Sequence, residues 1–196
     1  MKKIGVFGSS FNPPTLGHQD VILQAAAHFD EILLIPSVAH AFQKQMIELP
    51  HRLNMLRLLI ESKHYLVPVK IFNIEVSIQN RAGLNKPVYT FDMMSELVNF
   101  YETLCQSVEL HFILGPDNAK PEVWQTFYRS KEIEQQWPLF VAKEQLPVHS
   151  TAVRQLIQSE TDANKLAEQL TPLVGEHIAQ YIVRHQLYKP TVPKAA

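Results

Sequence analysis

Short apolar runs and helically spaced apolar positions alternate along this chain, and the alternation predicts its elements. Residues 4–7 read as a buried strand. Residues 18–28, with Val21, Ile22, Ala25 and Ala26 at helical spacing, read as the helix that covers it. Glu31–Pro36 encloses four consecutive aliphatic residues and reads as a second strand, followed by a polar loop to about Leu49. Pro50 opens a helix carrying Leu53, Leu56, Leu59 and Ile60. Residues 67–76 alternate apolar and polar and predict a third strand, and residues 77–89, with Arg81, Gly83, Asn85 and Pro87, predict a loop. Helical spacing resumes over residues 90–104, and residues 110–114 form a buried strand pattern ending in Gly115-Pro116-Asp117. A short helical stretch over residues 122–135 precedes a last short strand at 139–142. Ser150-Thr151 is placed to cap a helix over residues 153–159, and two more helical stretches end near Leu187.

Strands alternating with helices predict an α/β fold. The expected form is a single Rossmann-like, doubly wound, mainly parallel sheet flanked by helices, with a C-terminal helical segment. One domain is expected over residues 1–188, with 189–196 as a frayed tail. In such sheets ligands bind beyond the carboxyl ends of the strands, at the point where strand order reverses. The segments expected there are the loop after the first strand, residues 36–44, and residues 115–117.

Composition narrows the chemistry. An apolar fraction of 46% supports a real core. A net charge of −1 provides no basic footprint for nucleic acid, so an anionic ligand must be met by local donors. The single cysteine, Cys105, excludes an internal disulfide and a cysteine metal cluster. Its apolar-periodic surroundings (Leu97, Phe100, Tyr101, Leu104) predict a buried, inert thiol. The apolar run after Met1-Lys2-Lys3 spans only residues 4–7, too short for a secretion leader, and no run has transmembrane length. A cytoplasmic protein without a membrane partner is the expectation.

The densest chemistry lies in residues 5–18, Gly-Val-Phe-Gly-Ser-Ser-Phe-Asn-Pro-Pro-Thr-Leu-Gly-His. A strand that empties through small residues into a helix start offers backbone N–H groups and a positive helix end to phosphate. His18 adds a hydrogen-bond donor or a charge. Neither the GxxxxGK[ST] nor the GxGxxG phosphate loop is present. Ser150-Thr151-Ala152-Val153-Arg154 places two hydroxyls at a helix start and a guanidinium one turn in, a second phosphate clamp if it meets the first. Asp117 offers a carboxylate to ribose hydroxyls or caps the next helix. His40 and Lys44 follow the second strand, where a lysine can neutralise phosphate. Trp124 and Tyr128, four apart on a predicted helix, share a face suited to core packing or to stacking on a ring. HExxH, GxSxG and CxxC are absent, the histidines lack ligand spacing, and no covalent nucleophile stands out.

Together these segments resemble the nicotinate/nicotinamide mononucleotide adenylyltransferases, within the TxGH/HxGH nucleotidyltransferase superfamily. The resemblance spans roughly residues 3–188 and rests on five motifs in order: residues 8–18, 50–56, 89–92, 113–117 and 150–154. It implies attack of a pyridine mononucleotide phosphate on the α-phosphorus of ATP, a reaction of NAD biosynthesis that releases pyrophosphate. His18 and Arg154 would be catalytic. Gly8, Ser9, Thr15, His18, Gly115, Asp117, Ser150, Thr151 and Arg154 would bind ATP. Ser10, Phe11, Asn12, Lys44, Thr90, Lys143 and either Trp124 or Tyr128 would bind the mononucleotide. Mg²⁺ would enter with ATP, without protein side chains as ligands. Two positions depart from the family pattern: Lys143 stands where arginine is usual, and His149 where serine is usual. Pantetheine-phosphate adenylyltransferase is the near alternative, on residues 8–35. A catalytically inactive nucleotide sensor is the alternative of a different class.

Overall fold

The computed structural model of the protein describes residues 1–39, 46–82 and 87–190. Five parallel strands form its sheet: β1 (Lys2–Ser9), β2 (Glu31–Pro36), β3 (Val69–Ile71), β4 (Val108–Leu114) and β5 (Leu139–Val141), in the order β3-β2-β1-β4-β5. In register, Gly8 lies beside Ile35 on one side, and Val6 beside Phe112 on the other. β1 is therefore central, and strand order reverses between it and β4. That gap at the carboxyl ends is where a doubly wound sheet opens a crevice.

Side-chain alternation divides the core between the two faces of the sheet. Phe7, Ile32 and Leu34 pack on one face with α1 (Leu16–Ala25), α2 (Leu49–Glu61), α7 (Ser150–Ser159), α8 (Ala163–Val174) and α9 (Glu176–Arg184). Ile4, Val6, Leu33 and Ile35 pack on the other with α3 (Ile74–Ala82), α4 (Thr90–Thr103), α5 (Pro121–Trp124) and α6 (Ser130–Gln136). Burial on both faces is why β2 reads as an unbroken aliphatic run. The expected α/β architecture, its parallel sheet and its C-terminal helices are all present. Among the described residues no helix is long and apolar enough to cross a membrane.

Four local expectations are corrected. The third strand covers only Val69–Ile71, and Ile74–Ala82 is a helix. Ile74 and Ile78, four apart, pack on the same core, and this helical spacing overlaps the tail of the strand-like alternation. The stretch at 122–135 divides into α5, which ends at Trp124, and α6, which starts after Arg129 in a left-handed conformation at φ 58°. Trp124 and Tyr128 consequently share no helix. α7 begins at Ser150 with His149 as its N-cap and no side-chain capping bond, so Ser150 and Thr151 lie in its first turn.

The fourth correction concerns Cys105, which is exposed. It follows the C-cap of α4 at φ 53°. Its N–H donates to Glu102 O at 2.9 Å, and the Gln106 N–H donates to Tyr101 O at 3.0 Å. This pair of bonds forms a Schellman ending, whose left-handed position favours glycine. The apolar-periodic neighbours suggested burial, but the left-handed backbone at the helix end turns Cys105 outward. Cys105→Gly should therefore raise stability by about 1 kcal/mol in urea unfolding. The wild-type thiol should react with a thiol reagent in the native state, and a thiol that reacts only after unfolding would contradict this placement.

Candidate active site

The chain leaving β1 turns inward. Phe11, at φ 45°, is fully buried, with its ring 5.6 Å from that of Phe7 and 5.0 Å from that of His18. Asn12 and Thr15 are buried as well. These side chains build the loop from inside, leaving Gly8, Ser9 and Ser10 partly exposed at the strand end.

Thr15 caps α1 through a reciprocal box with His18. The Thr15 N–H donates to His18 Nδ1 at 3.1 Å, and the His18 N–H donates to the Thr15 hydroxyl at 3.4 Å. That hydroxyl also lies 2.8 Å from Nδ1 and 3.1 Å from the carbonyl of Val148. Because a backbone N–H can only donate, Nδ1 must carry its lone pair there, which puts the ring proton on Nε2. Nε2 lies 3.3 Å from Ser9 Oγ. Burial of the ring pushes its pKa down to about 4; Asp117 opposes that shift and His149 adds to it. His18 is therefore a neutral donor pointing its Nε2–H toward the strand end.

α7 closes on this loop from the other end of the sequence. Arg154 Nη1 donates to Asn12 O at 2.6 Å, and Ser150 Oγ donates to Pro13 O at 2.8 Å. Arg154 Nη2 donates to Thr151 Oγ1 at 3.1 Å. Gly17 makes the approach of the preceding segment possible. A Cβ there would sit 2.5 Å from the Val148 carbonyl oxygen and 3.3 Å from that of Leu146. The structure thus brings together His18, Ser150, Thr151 and Arg154 around one loop. Beyond β4, Asn118 and Ala119 donate back to Gly115 O at 3.1 Å, which turns the chain and leaves the Asp117 carboxylate exposed.

The candidates for the second substrate divide. Trp124 is buried, stacked on Phe112 at 6.3 Å, and its Nε1–H donates to Glu134, so its ring belongs to the core. Tyr128 is 49% exposed, with its ring 4.9 Å from that of Tyr89, and it is the member of the pair open to a ligand. Thr90 begins α4, whose N-terminus has no side-chain cap. Lys143 is exposed, and its backbone is paired with Gln24 on α1. Lys44 and His40 lie outside the described residues.

Arg52 and Glu75 are additions that sequence reasoning missed. Arg52, 1% exposed, donates from Nη1 to Ser10 O at 2.8 Å and from Nε to Ile47 O at 3.1 Å. The Ile47 N–H donates to Asn12 Oδ1 at 3.3 Å, and the Val38 N–H donates to Glu75 Oε2 at 2.9 Å. These buried polar groups fix the loop after β1 and both described ends of the segment after β2. Burial raises the Glu75 carboxyl to about 7 and lowers Arg52. In sequence, Arg52 stands within the 50–56 motif and at a polar position of an amphipathic helix, and neither signals its burial.

The shifts of His18 and Glu75 give opposite pH dependences. His18 binds its proton less well when folded, so its contribution to stability is complete above 6.5 and is lost as pH falls toward about 4. Glu75 binds its proton better when folded, so its contribution is complete below 4.5 and is lost as pH rises through about 7. Between 4.5 and 6.5 the two slopes oppose each other. Urea midpoints measured across that window should rise more steeply with pH in Glu75→Gln than in wild type, and should fall with pH in His18→Gln. Parallel profiles for all three proteins would refute both assignments.

Comparison with known proteins finds matches over most of the chain, this region included. A protein-family model described as cytidylyltransferase-like matches residues 6–156, from β1 into α7. The chain is 29% identical over 212 residues to a nicotinate-nucleotide adenylyltransferase of Bacillus subtilis (strain 168), covering 96% of this chain and 100% of that protein. A solved structure from Vibrio parahaemolyticus, assigned as a nicotinate-nucleotide adenylyltransferase, is 27% identical with a TM-score of 0.69, covering 93% of this chain and 99% of that one. The Plasmodium falciparum nicotinic acid mononucleotide adenylyltransferase solved with NaAD shares the fold at a TM-score of 0.69 and 18% identity, covering 96% of this chain and 98% of that one. The chain belongs to the cytidylyltransferase-like family.

Proposed function

We propose that this protein joins the AMP part of ATP to nicotinate or nicotinamide mononucleotide and releases pyrophosphate. The observation that carries the reading is the closure of the α7 N-terminus, with Ser150, Thr151 and Arg154, onto the loop that positions the Nε2–H of His18. Two groups of phosphate donors from opposite ends of the chain meet where strand order reverses. The full-length similarity to nicotinate-nucleotide adenylyltransferases supports the choice of acceptor over pantetheine phosphate.

A phosphate oxygen of the mononucleotide attacks the α-phosphorus, and the bond to the β-phosphate oxygen breaks. The protein aligns the two substrates and offsets charge on the leaving pyrophosphate, and no covalent enzyme intermediate is required. The Nε2–H of His18 and the amides of Gly8 and Ser9 meet the phosphates; Ser150, Thr151 and Arg154 hold the far end of the triphosphate. Thr15 acts indirectly, by fixing the His18 tautomer. Mg²⁺ arrives with ATP as part of the substrate. Gly115 and Asp117 receive the adenosine ribose. Ser10, the backbone at Phe11 and Asn12, Lys44, Thr90, Tyr128 and Lys143 form the mononucleotide side.

Pyrophosphate release from MgATP should require one of the two pyridine mononucleotides and should not occur with pantetheine phosphate. His18→Ala should lower kcat by about 100- to 1000-fold, the range for removing one preorganised donor. His18→Gln, which keeps a neutral N–H donor, should retain more activity than His18→Ala. ATP binding without turnover on either mononucleotide would favour the sensor and reject the enzyme.

A further inference from the structure

Three segments meet at His149. Its Nδ1 lies 2.9 Å from Asp117 Oδ2, on the loop after β4. Its Nε2 lies 3.3 Å from Glu144 Oε1, on the chain after β5. Its own backbone is the N-cap of α7. The ligating atoms of Asp117, Glu144 and His149 all lie within 4.8 Å of one another, so the imidazole is inserted between two carboxylates. Asp117 and His149 also act on the His18 ring with opposite electrostatic sign, which places the pair within range of the phosphate end of the site.

A carboxylate that binds ribose must be held still, yet it must not repel the triphosphate beside it. A protonated ring carries an N–H on each nitrogen, and in that form it donates to both carboxylates and offsets their charge. A serine at this position is too short to span the two. We infer that His149 is a positioning residue for the nucleotide, setting the Asp117 carboxylate against the first turn of α7 and shielding ATP from Asp117 and Glu144. This inference rests on the proposed use of Asp117 and α7 for ATP. His149 touches the carboxylates and need not touch the reacting atoms.

Equilibrium titration with MgATP alone, followed by steady-state kinetics, tests the inference. His149→Ser should weaken ATP binding by about five- to tenfold, the scale of a charge-assisted contact. The KM for the mononucleotide and kcat should stay within about twofold of wild type. Adding Glu144→Gln to His149→Ser removes one of the exposed charges and should restore most of the lost ATP affinity. The inference is overturned if His149→Ser binds ATP like wild type, if kcat or the mononucleotide KM changes as much as ATP affinity, or if Glu144→Gln restores nothing. Should wild type fail to transfer AMP while His149→Ser still weakens ATP binding with rescue by Glu144→Gln, the proposed reaction fails and the role of His149 stands.

Discussion

The site depends on two backbone carbonyls, those of Asn12 and Pro13, which accept hydrogen bonds from Arg154 and Ser150. These groups are separated by nearly the whole sheet in sequence, yet adjacent in space. Until α7 docks, the loop after β1 is only a strand-to-helix connection. After docking, a guanidinium and two hydroxyls stand against the loop that leads to His18. The Arg154 bond has a charged donor and is the stronger of the two, and ties on two consecutive residues fix orientation as well as distance. Gly17 permits this approach from beneath, since any side chain there would press on the Val148 carbonyl.

Buried polar residues support the same loop from the β2 side. Arg52 is enclosed by the core and donates to carbonyls of two different loops, so removing it would leave both acceptors unpaired. Glu75, on α3, accepts from the Val38 N–H on the chain leaving β2. Burying these charges is unfavourable by itself, as the displaced pKa of each shows. The arrangement makes sense as loop fixation: the left-handed backbone at Phe11 persists because packing and these bonds over-determine it.

The strands were legible because a parallel strand buried on both faces leaves a continuous apolar run, and β2 matches its predicted bounds residue for residue. Left-handed residues that are not glycine were not legible. Arg129 opens α6 inside what reads as one helical stretch, and the end of α4 was read to within a residue while the outward turn of Cys105 just beyond it was not. The short strand β3 failed for a different reason, because the alternation read over residues 67–76 overlaps the start of the four-residue spacing of Ile74 and Ile78. In the site, motif residues were legible as residue types, but the packing of their side chains was not. Phe11 and Thr15 face inward, and Trp124 fills the core. Arg52 was the least readable, since its burial is set by loops distant in sequence.

The neutral state of His18 bears on how a chain of net charge −1 can accept a polyanion. A long-range attractive field is absent, so each donor must be placed before the ligand arrives. Nδ1 accepts from the Thr15 N–H, and protonating it would leave that N–H facing another proton. The capping box therefore resists conversion of His18 to a cation even when phosphate is near. Positive charge enters instead through Arg154, whose fixed guanidinium is anchored at Asn12, while the imidazole contributes direction. In the proposed reaction this division of charge and direction between two residues is what would let a weakly charged protein orient a triphosphate.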